Sequence, residues 1–407
     1  MVKRRFFNVV RRALRYGDAG VGLDDIEELG LPSMVHVPVW GGQPGFGDLK
    51  VGGEVATGQL LHGSDGGYVL SPVTGVICSV VERTGYLGRR YVRVSIEVSG
   101  EDRFDGGLVE AVGGSDFDFL RRHLVSVPGK GDFSLLVGFD PVVNVVVVHG
   151  MDEDIGVVTR RLMVQSDGLL EGISYLKQVV RAGRFVLVVC EGISGVSGVD
   201  RVEVKPVYPN GLPEVLMRRV PGLSGGGVGF VGPEAVLFFS RLSEGVIDFG
   251  KVVMVSGGGM ASRLVKVRVG TAVGDILSSL GVVVGDGDRV ILGGPMRGRA
   301  VSDLEEPVMW DTDAVLVQSG SEVIRAEDGQ CINCGECIRV CPVRVPVNML
   351  VRVLASGLYE EAAERYDLDS CIGCGLCDYV CVVRIPILQY IMLGRQEVMR
   401  LAEGTNG

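Results

Sequence analysis

Eight cysteines in two repeated spacings constrain this chain more than any other feature. Cys331, Cys334, Cys337 and Cys341 follow C-x2-C-x2-C-x3-C, and Cys371, Cys374, Cys377 and Cys381 repeat it. Three cysteines on one tight loop can reach three irons of a [4Fe–4S] cube. The fourth, on the helical turn beyond, points away and serves the neighbouring cube. The spacing predicts two clusters, one held by Cys331, Cys334, Cys337 and Cys381, the other by Cys371, Cys374, Cys377 and Cys341. Gly335, Gly373 and Gly375 let backbone N–H groups approach the sulfides. Pro342 follows the first quartet as the pattern expects, and Val382 takes its place in the second. Disulfides or two zinc sites are the competing uses of eight cysteines. Zinc ribbons pair two C-x2-C knuckles and need no further cysteines at these spacings.

Cys78 and Cys190 lie in apolar, strand-like runs and read as small buried hydrophobes. The basic start is not followed by the apolar run of a secretory signal, and no stretch reaches the ~18 apolar residues that span a bilayer. The run Val142–Val148 reads as a buried strand. A chain of 407 residues is too long for one core, so several domains are expected. Its net charge of −10 argues against nucleic acid as a partner. The opening residues depart from that balance, with Lys3, Arg4, Arg5, Arg11, Arg12 and Arg15 and no acid before position 17. At about 100° per residue all but Lys3 share one side of a helix, opposite Phe6, Phe7, Val9, Val10 and Leu14. Such a face suits anionic headgroups or an acidic protein surface. Folding back on an acidic domain of the same chain would satisfy it too.

Residues 35–39, 51–61 and 71–77 carry the pattern V-x-x-G-x-x-V-x-x-G-Q-x-L … S-P-V-x-G-x-V. It resembles the barrel-sandwich hybrid of biotinyl and lipoyl carriers. The hairpin between Gln59 and Ser71 has no lysine to hold a swinging arm, so the fold is expected without the carrier role. From 101 to 250, valine-rich strands alternate with helical stretches such as Gly172 to Ala182, a βα texture. Val347–Ser356 and Leu358–Tyr366 read as helices parted by Gly357. Gly227–Gly232 spells G-x-G-x-x-G without a preceding hydrophobic strand and reads as a connector. Val252–Gly259 lacks the Gly-Lys-Ser/Thr of a phosphate loop, Lys130 reads as a turn residue, and Asp152-Glu153-Asp154 as a solvated acidic turn.

In this order, with Val265–Leu277 (VKVRVGTAVGDIL), Gly293-Gly294-Pro295-Met296, and quartets separated by two helices, the chain resembles the RnfC family of membrane electron-transport subunits. The resemblance covers about residues 30–395. The implied architecture is multidomain α+β: a basic arm (1–29), a barrel-sandwich hybrid (30–100), an α/β middle like a flavin domain (101–250), an SLBB-type β-grasp (251–320) and a helical two-cluster ferredoxin-like domain (321–407). The family implies a subunit on the cytoplasmic face of the membrane, docked to other members of the complex. It would take electrons from NADH through FMN and pass them through two [4Fe–4S] clusters towards the membrane.

The family's flavin loop, G-x-G-G-A-G-F-P-T, corresponds to Val112–Leu120, where Gly113 and Gly114 remain and Asp116 and Asp118 oppose a phosphate. Its N-G-A-E-C-E-P-Y element is echoed by Gly150 and Glu153, and its N-V-G-T by Phe230–Pro233. Gly113, Gly114, Gly150 and Glu153 are thus the residual flavin site, and the eroded elements lean towards an electron relay fed by a protein donor. The competing reading is an intact NADH dehydrogenase module with FMN. A third, the cobalamin reductase family, shares the modules but sets the barrel-sandwich after the cluster domain.

Deleting residues 2–16 should weaken binding to anionic liposomes, most at low ionic strength, because five cations share a face. A sedimentation assay across a salt series checks this.

Overall fold

The computed structural model describes all residues except 1–12, 18, 41–48, 63–67, 86–87, 89, 125, 130, 133–142, 194–197, 224–226, 325, 327–328 and 405–407. Residues 1–12 and 18 of the basic arm, Lys130 and the tip of the 60–70 hairpin fall outside the described residues. The rest is a mixed α/β chain in two compact units, Tyr16–Ser321 and one built on Glu322–Gly407.

In the larger unit the short strand β1 (Ile26–Glu28) precedes an antiparallel group: β2 (Met34–Val39), β3 (Glu54–Val55), β4 (Leu60–His62), β5 (Tyr68–Leu70), β6 (Gly75–Thr84) and β7 (Arg90–Val98). Four of these form a sheet in the order β2-β7-β6-β3, and β4 pairs with β5. Its core is Val35, Val37, Val39, Val94 and Ile96, with Val55 and Ile77 across from them. At Gly75 a Cβ would lie 2.1 Å from the Glu97 carbonyl oxygen, so only glycine lets β6 and β7 close there.

Two helices, Gly106–Gly114 and Phe117–His123, follow, and then β8 (Ser126–Val127) and β9 (Gly131–Asp132). Next come β10 (Val145–His149), β11 (Arg184–Cys190), β12 (Asp200–Val204) and β13 (Val228–Val231). These four are all parallel, in the order β12-β11-β10-β13. Every residue of β10 is buried, which is why this strand reads as an unbroken valine run. The Gly227–Gly232 stretch is therefore not a connector. Val228–Val231 pairs with Val145–Val148, which satisfies its backbone and leads it into the helix Pro233–Ser243. That helix packs on Leu169–Val179, and Gly172 permits the contact, since a Cβ there would sit 2.1 Å from the Val236 carbonyl oxygen.

The last sheet contains β14 (Gly250–Gly257), β15 (Met260–Arg268), β16 (Arg289–Leu292), β17 (Arg299–Val301) and β18 (Ala314–Gln318). Its order is β1-β15-β14-β18-β16-β17, and the helix Val273–Ser279 buries Val273, Ile276 and Leu277 against it. Gly257, Gly258 and Gly259 all have positive φ and turn β14 back into β15, which disposes of any phosphate-loop role.

A buried cation ties this sheet to the Pro233–Ser243 helix. Lys251 is fully buried, with its ammonium 2.7 Å from Glu234 Oε2 and 3.1 Å from Asp313 Oδ1. Burial by itself would lower the lysine pKa, but Glu234 and Asp313 outweigh it and raise it. Lys251→Ala should destabilise this unit by about 3–5 kcal/mol, because the buried Glu234 carboxylate loses its cation. The measurement is the urea midpoint of the larger unit's transition, and an unshifted midpoint would contradict the assignment.

Candidate metal centre

The two quartets fold as copies of one local backbone. Asn333 and Gly373, two residues past the first cysteine of each quartet, both have left-handed φ (57° and 62°). Gly335 and Gly375 (φ 74° and 69°) open the short helices Glu336–Val340 and Leu376–Val380. Cys341 and Cys381 close those helices in extended conformation. Arg344 and Arg384 then both take positive φ, strained for arginine, and the turns Val345-Pro346-Val347 and Ile385-Pro386-Ile387 start the long helices Val347–Ala355 and Ile387–Gly404. Glycine or asparagine at the first two sites supplies the left-handed turns that wrap three cysteines round one point. Tyr359–Arg365 is the second helix between the quartets, with Gly357 (φ 72°) parting it from the first.

Where the fourth cysteines go is a matter of packing. A hollow in this unit is lined by Cys331, Cys334 and Cys337 from the first quartet and by Cys381 from the second. Among the described residues no three His, Cys, Asp or Glu side chains converge as ligands to a single ion would. The four cysteines surround a space instead. Burial pushes the Cys337 thiol up to about 11, and Cys334, Cys331 and Cys381 add to it. In the second group burial raises Cys371, and Cys341 pushes the same way, while Arg395 and a Gly373 N–H bond oppose them. Cys377 is raised by burial, then by Asp378, Cys371 and Cys374. Thiols crowded like this can ionise together only around a strong positive charge, so the donor set fits an iron–sulfur centre.

Three arginines absent from the sequence reading brace the loops. The Arg395 guanidinium donates to the Leu368 and Asp369 carbonyls at 3.1 and 3.0 Å, and also to Cys371. Arg339 donates to the Cys334 carbonyl at 3.0 Å and Arg352 to that of Cys331 at 3.4 Å. Spacing gives no hint of them, because an arginine on a helix looks the same whether it faces solvent or a loop carbonyl. Asp378, beside Cys377, accepts from the Leu388 N–H at 2.9 Å at the start of the last helix, and burial raises its pKa to about 6.

The other site residues lie in the larger unit. In its parallel sheet the strand order reverses between β10 and β13, the place where such sheets bind ligands. Gly150 and Glu153 stand at the end of β10. Gly113 and Gly114 form the last turn of the Gly106–Gly114 helix, with open space beside both, and Asp116 caps the next helix by accepting from Phe119 N–H. The glycine that does approach the reversal point is Gly129 (φ 96°), whose carbonyl accepts the Gly232 N–H at 3.0 Å, at the head of the Pro233–Ser243 helix.

The 152–154 run is not a solvated turn. Asp152 and Asp154 are buried, and Glu153 accepts from Arg160 and Arg297, each at 2.8 Å. Arg160 also donates to Asp313 (2.8 Å) and to His149 Nδ1 (2.9 Å). Since arginine can only donate, the His149 proton is on Nε2 and goes to the Gly211 carbonyl at 2.6 Å. Asp154 accepts from the Arg297 N–H at 2.7 Å and the Met296 N–H at 3.1 Å, within the Gly293–Met296 turn. The Gly150 N–H bonds Val188 O at 2.8 Å, and a Cβ on Gly150 would lie 2.8 Å from Val164. Burial raises Asp152 to about 6, against the pull of Arg161.

A family model described as a 4Fe-4S dicluster domain matches residues 323–382. One subunit of the proton-translocating ferredoxin:NAD(+) oxidoreductase complex of Clostridium ljungdahlii is 26% identical, covering 91% of this chain and 90% of its own. Its counterpart in the ion-translocating oxidoreductase complex of Methanosarcina acetivorans is 25% identical over 79% of this chain and 82% of its own. The counterpart in the Na(+)-translocating ferredoxin:NAD(+) oxidoreductase complex of Acetobacterium woodii is 24% identical over 78% and 80%. A solved NAD+-reducing [NiFe]-hydrogenase in the air-oxidized state aligns at 14% identity and a TM-score of 0.41, over 66% of this chain and 59% of its own.

Cys381→Ala should damage the centre of the first loop, and Cys341→Ala that of the second. Iron and sulfide analysis with spectra of each variant checks the crossing, and loss of each variant's own-loop centre would refute it.

Proposed function

We propose that this chain, whose relatives over most of its length are subunits of ion-translocating oxidoreductase complexes, is the RnfC-type electron-transfer subunit of such a complex. The observation that carries the proposal is the hollow ringed by Cys331, Cys334, Cys337 and Cys381. We assign one [4Fe–4S] cluster to those four and a second to Cys371, Cys374, Cys377 and Cys341. Each cube, when bound, takes up and gives back one electron at a time. The protein's part is to present thiolates at fixed positions, to brace the loops through Arg339, Arg352 and Arg395, and to limit water with the apolar wall of Val351, Val383, Ile385 and Ile387.

Among the described residues no helix is long and apolar enough to cross a membrane. That supports a peripheral subunit, which we place on the cytoplasmic face beside its partners in the complex. We read 30–100 as a barrel-sandwich hybrid, 101–250 as flavin-domain-like and 251–320 as an SLBB-type β-grasp.

The residues at the end of β10 do not fit a flavin phosphate. The Gly150 and Gly232 N–H groups are spent on backbone carbonyls, the Met296 and Arg297 N–H groups on Asp154, and three carboxylates occupy the crevice. The NAD(+) in two relatives' names is therefore not carried to this chain, which we read as a relay fed by a protein donor.

Cluster-replete, anaerobic protein should be bleached by dithionite and not by NADH with added FMN, with the iron–sulfur absorbance followed in time. Rapid bleaching by NADH, with about one FMN kept through desalting, would restore the dehydrogenase reading.

A further inference from the structure

The first cluster loop carries more exposed apolar surface than a redox centre shielded from water has use for. Ile332, next to Cys331, is 55% exposed, and Val382, next to Cys381, is 43% exposed. Both line the hollow of the four cysteines. Ile338, on the short helix that follows, is 37% exposed. Apolar side chains grouped at one mouth mark a contact surface rather than scattered surface residues.

The cysteine loops carry more arginine than acid in a chain of net charge −10, and Glu336, the charged residue that lines the hollow, is paired with Arg339. Arg339 and Arg352 are exposed and anchored to the carbonyls of Cys334 and Cys331, and Arg384 is exposed beside Val383. From Cys331 to Gly357 the one acid is Glu336, set against Arg339, Arg344 and Arg352. The acids gather further on, at Glu360, Glu361, Glu364, Asp367 and Asp369. Charge segregated in this way attracts an anionic partner to one face and turns it there. An apolar centre ringed by arginine is also the composition of a protein contact.

We propose that the mouth formed by Ile332 and Val382, with Ile338 exposed on the helix that follows and Arg339, Arg352 and Arg384 on the same loops and helices, docks a negatively charged redox protein. Its electron enters or leaves through the centre held by Cys331, Cys334, Cys337 and Cys381. One electron passes between the partner's centre and this one, so one is oxidised as the other is reduced, and no bond changes. Transfer falls steeply with distance, and this face brings a partner against two of the four ligands. The proposal rests on the electron-transfer reading and names the partner's chemistry.

The test uses the cluster-replete full chain with two probes, a fluorescently labelled acidic ferredoxin and basic cytochrome c. Affinity is read by anisotropy and electron transfer by stopped flow, with iron content and dithionite bleaching recorded for every variant. The parent should bind the ferredoxin in preference to the cytochrome, more weakly as salt rises. Arg384→Glu, and separately Ile338→Asp, should each weaken binding about tenfold. Cluster-replete variants that bind as the parent does, binding indifferent to salt, or a preference for cytochrome c would overturn the docking surface alone. A parent chain that holds no iron would overturn the electron-transfer reading, and this proposal with it.

Discussion

In the cluster unit the thiols of each loop lie against a thiol of the other. Cys337 is crowded by Cys334, Cys331 and, across the repeat, Cys381, while Cys371 feels Cys341. In the crossed assignment we propose, each loop supplies three ligands and the other loop the fourth, which would couple the folding of the two. The buried apolar residues between them, Val347, Leu350, Leu354, Ile387 and Ile391 among them, form one core rather than two. An iron centre in such a crossed arrangement would be a staple as well as a redox group, since ligand binding free energy is folding free energy.

In the larger unit the decisive device is a chain of buried charges. Arg160 and Lys251 are both buried, and both reach Asp313. Arg160 continues to Glu153, which continues to Arg297. Buried ions that lose a partner are costly, so the network holds together as a whole. It also occupies the end of the parallel sheet where a nucleotide would be sought. The same constellation links β14 to the Pro233–Ser243 helix and uses the Met296 and Arg297 backbone N–H groups on Asp154.

Much of this was legible beforehand. The valine run of β10 and the helices on either side of Gly357 follow from local rules about burial and caps. What the sequence misread involved long-range partners. Val228–Val231 looked like glycine-rich connector because its hydrophobic complement, β10, lies far off in the chain. Asp152-Glu153-Asp154 looked solvated because Arg160, Arg161 and Arg297 are invisible as partners until the chain folds. Gly113 and Gly114 looked like a loop, yet they form the last turn of the helix that Asp105 caps, and Asp116 caps the next.

The sequence by itself determined the number and spacing of the thiols, the left-handed positions that curl each loop, and the repeat that makes the two loops alike, because all of these act within a few residues. Only the tertiary structure decided that Arg395 braces the second loop and that Gly129 rather than Gly113 meets the head of the Pro233–Ser243 helix. Ile332 and Ile372 hold the same place in the repeat, yet one is 55% exposed and the other 7%. Local geometry is inherited from the residues alongside, whereas burial is set by whatever distant chain comes to rest on them, and spacing carries no record of that.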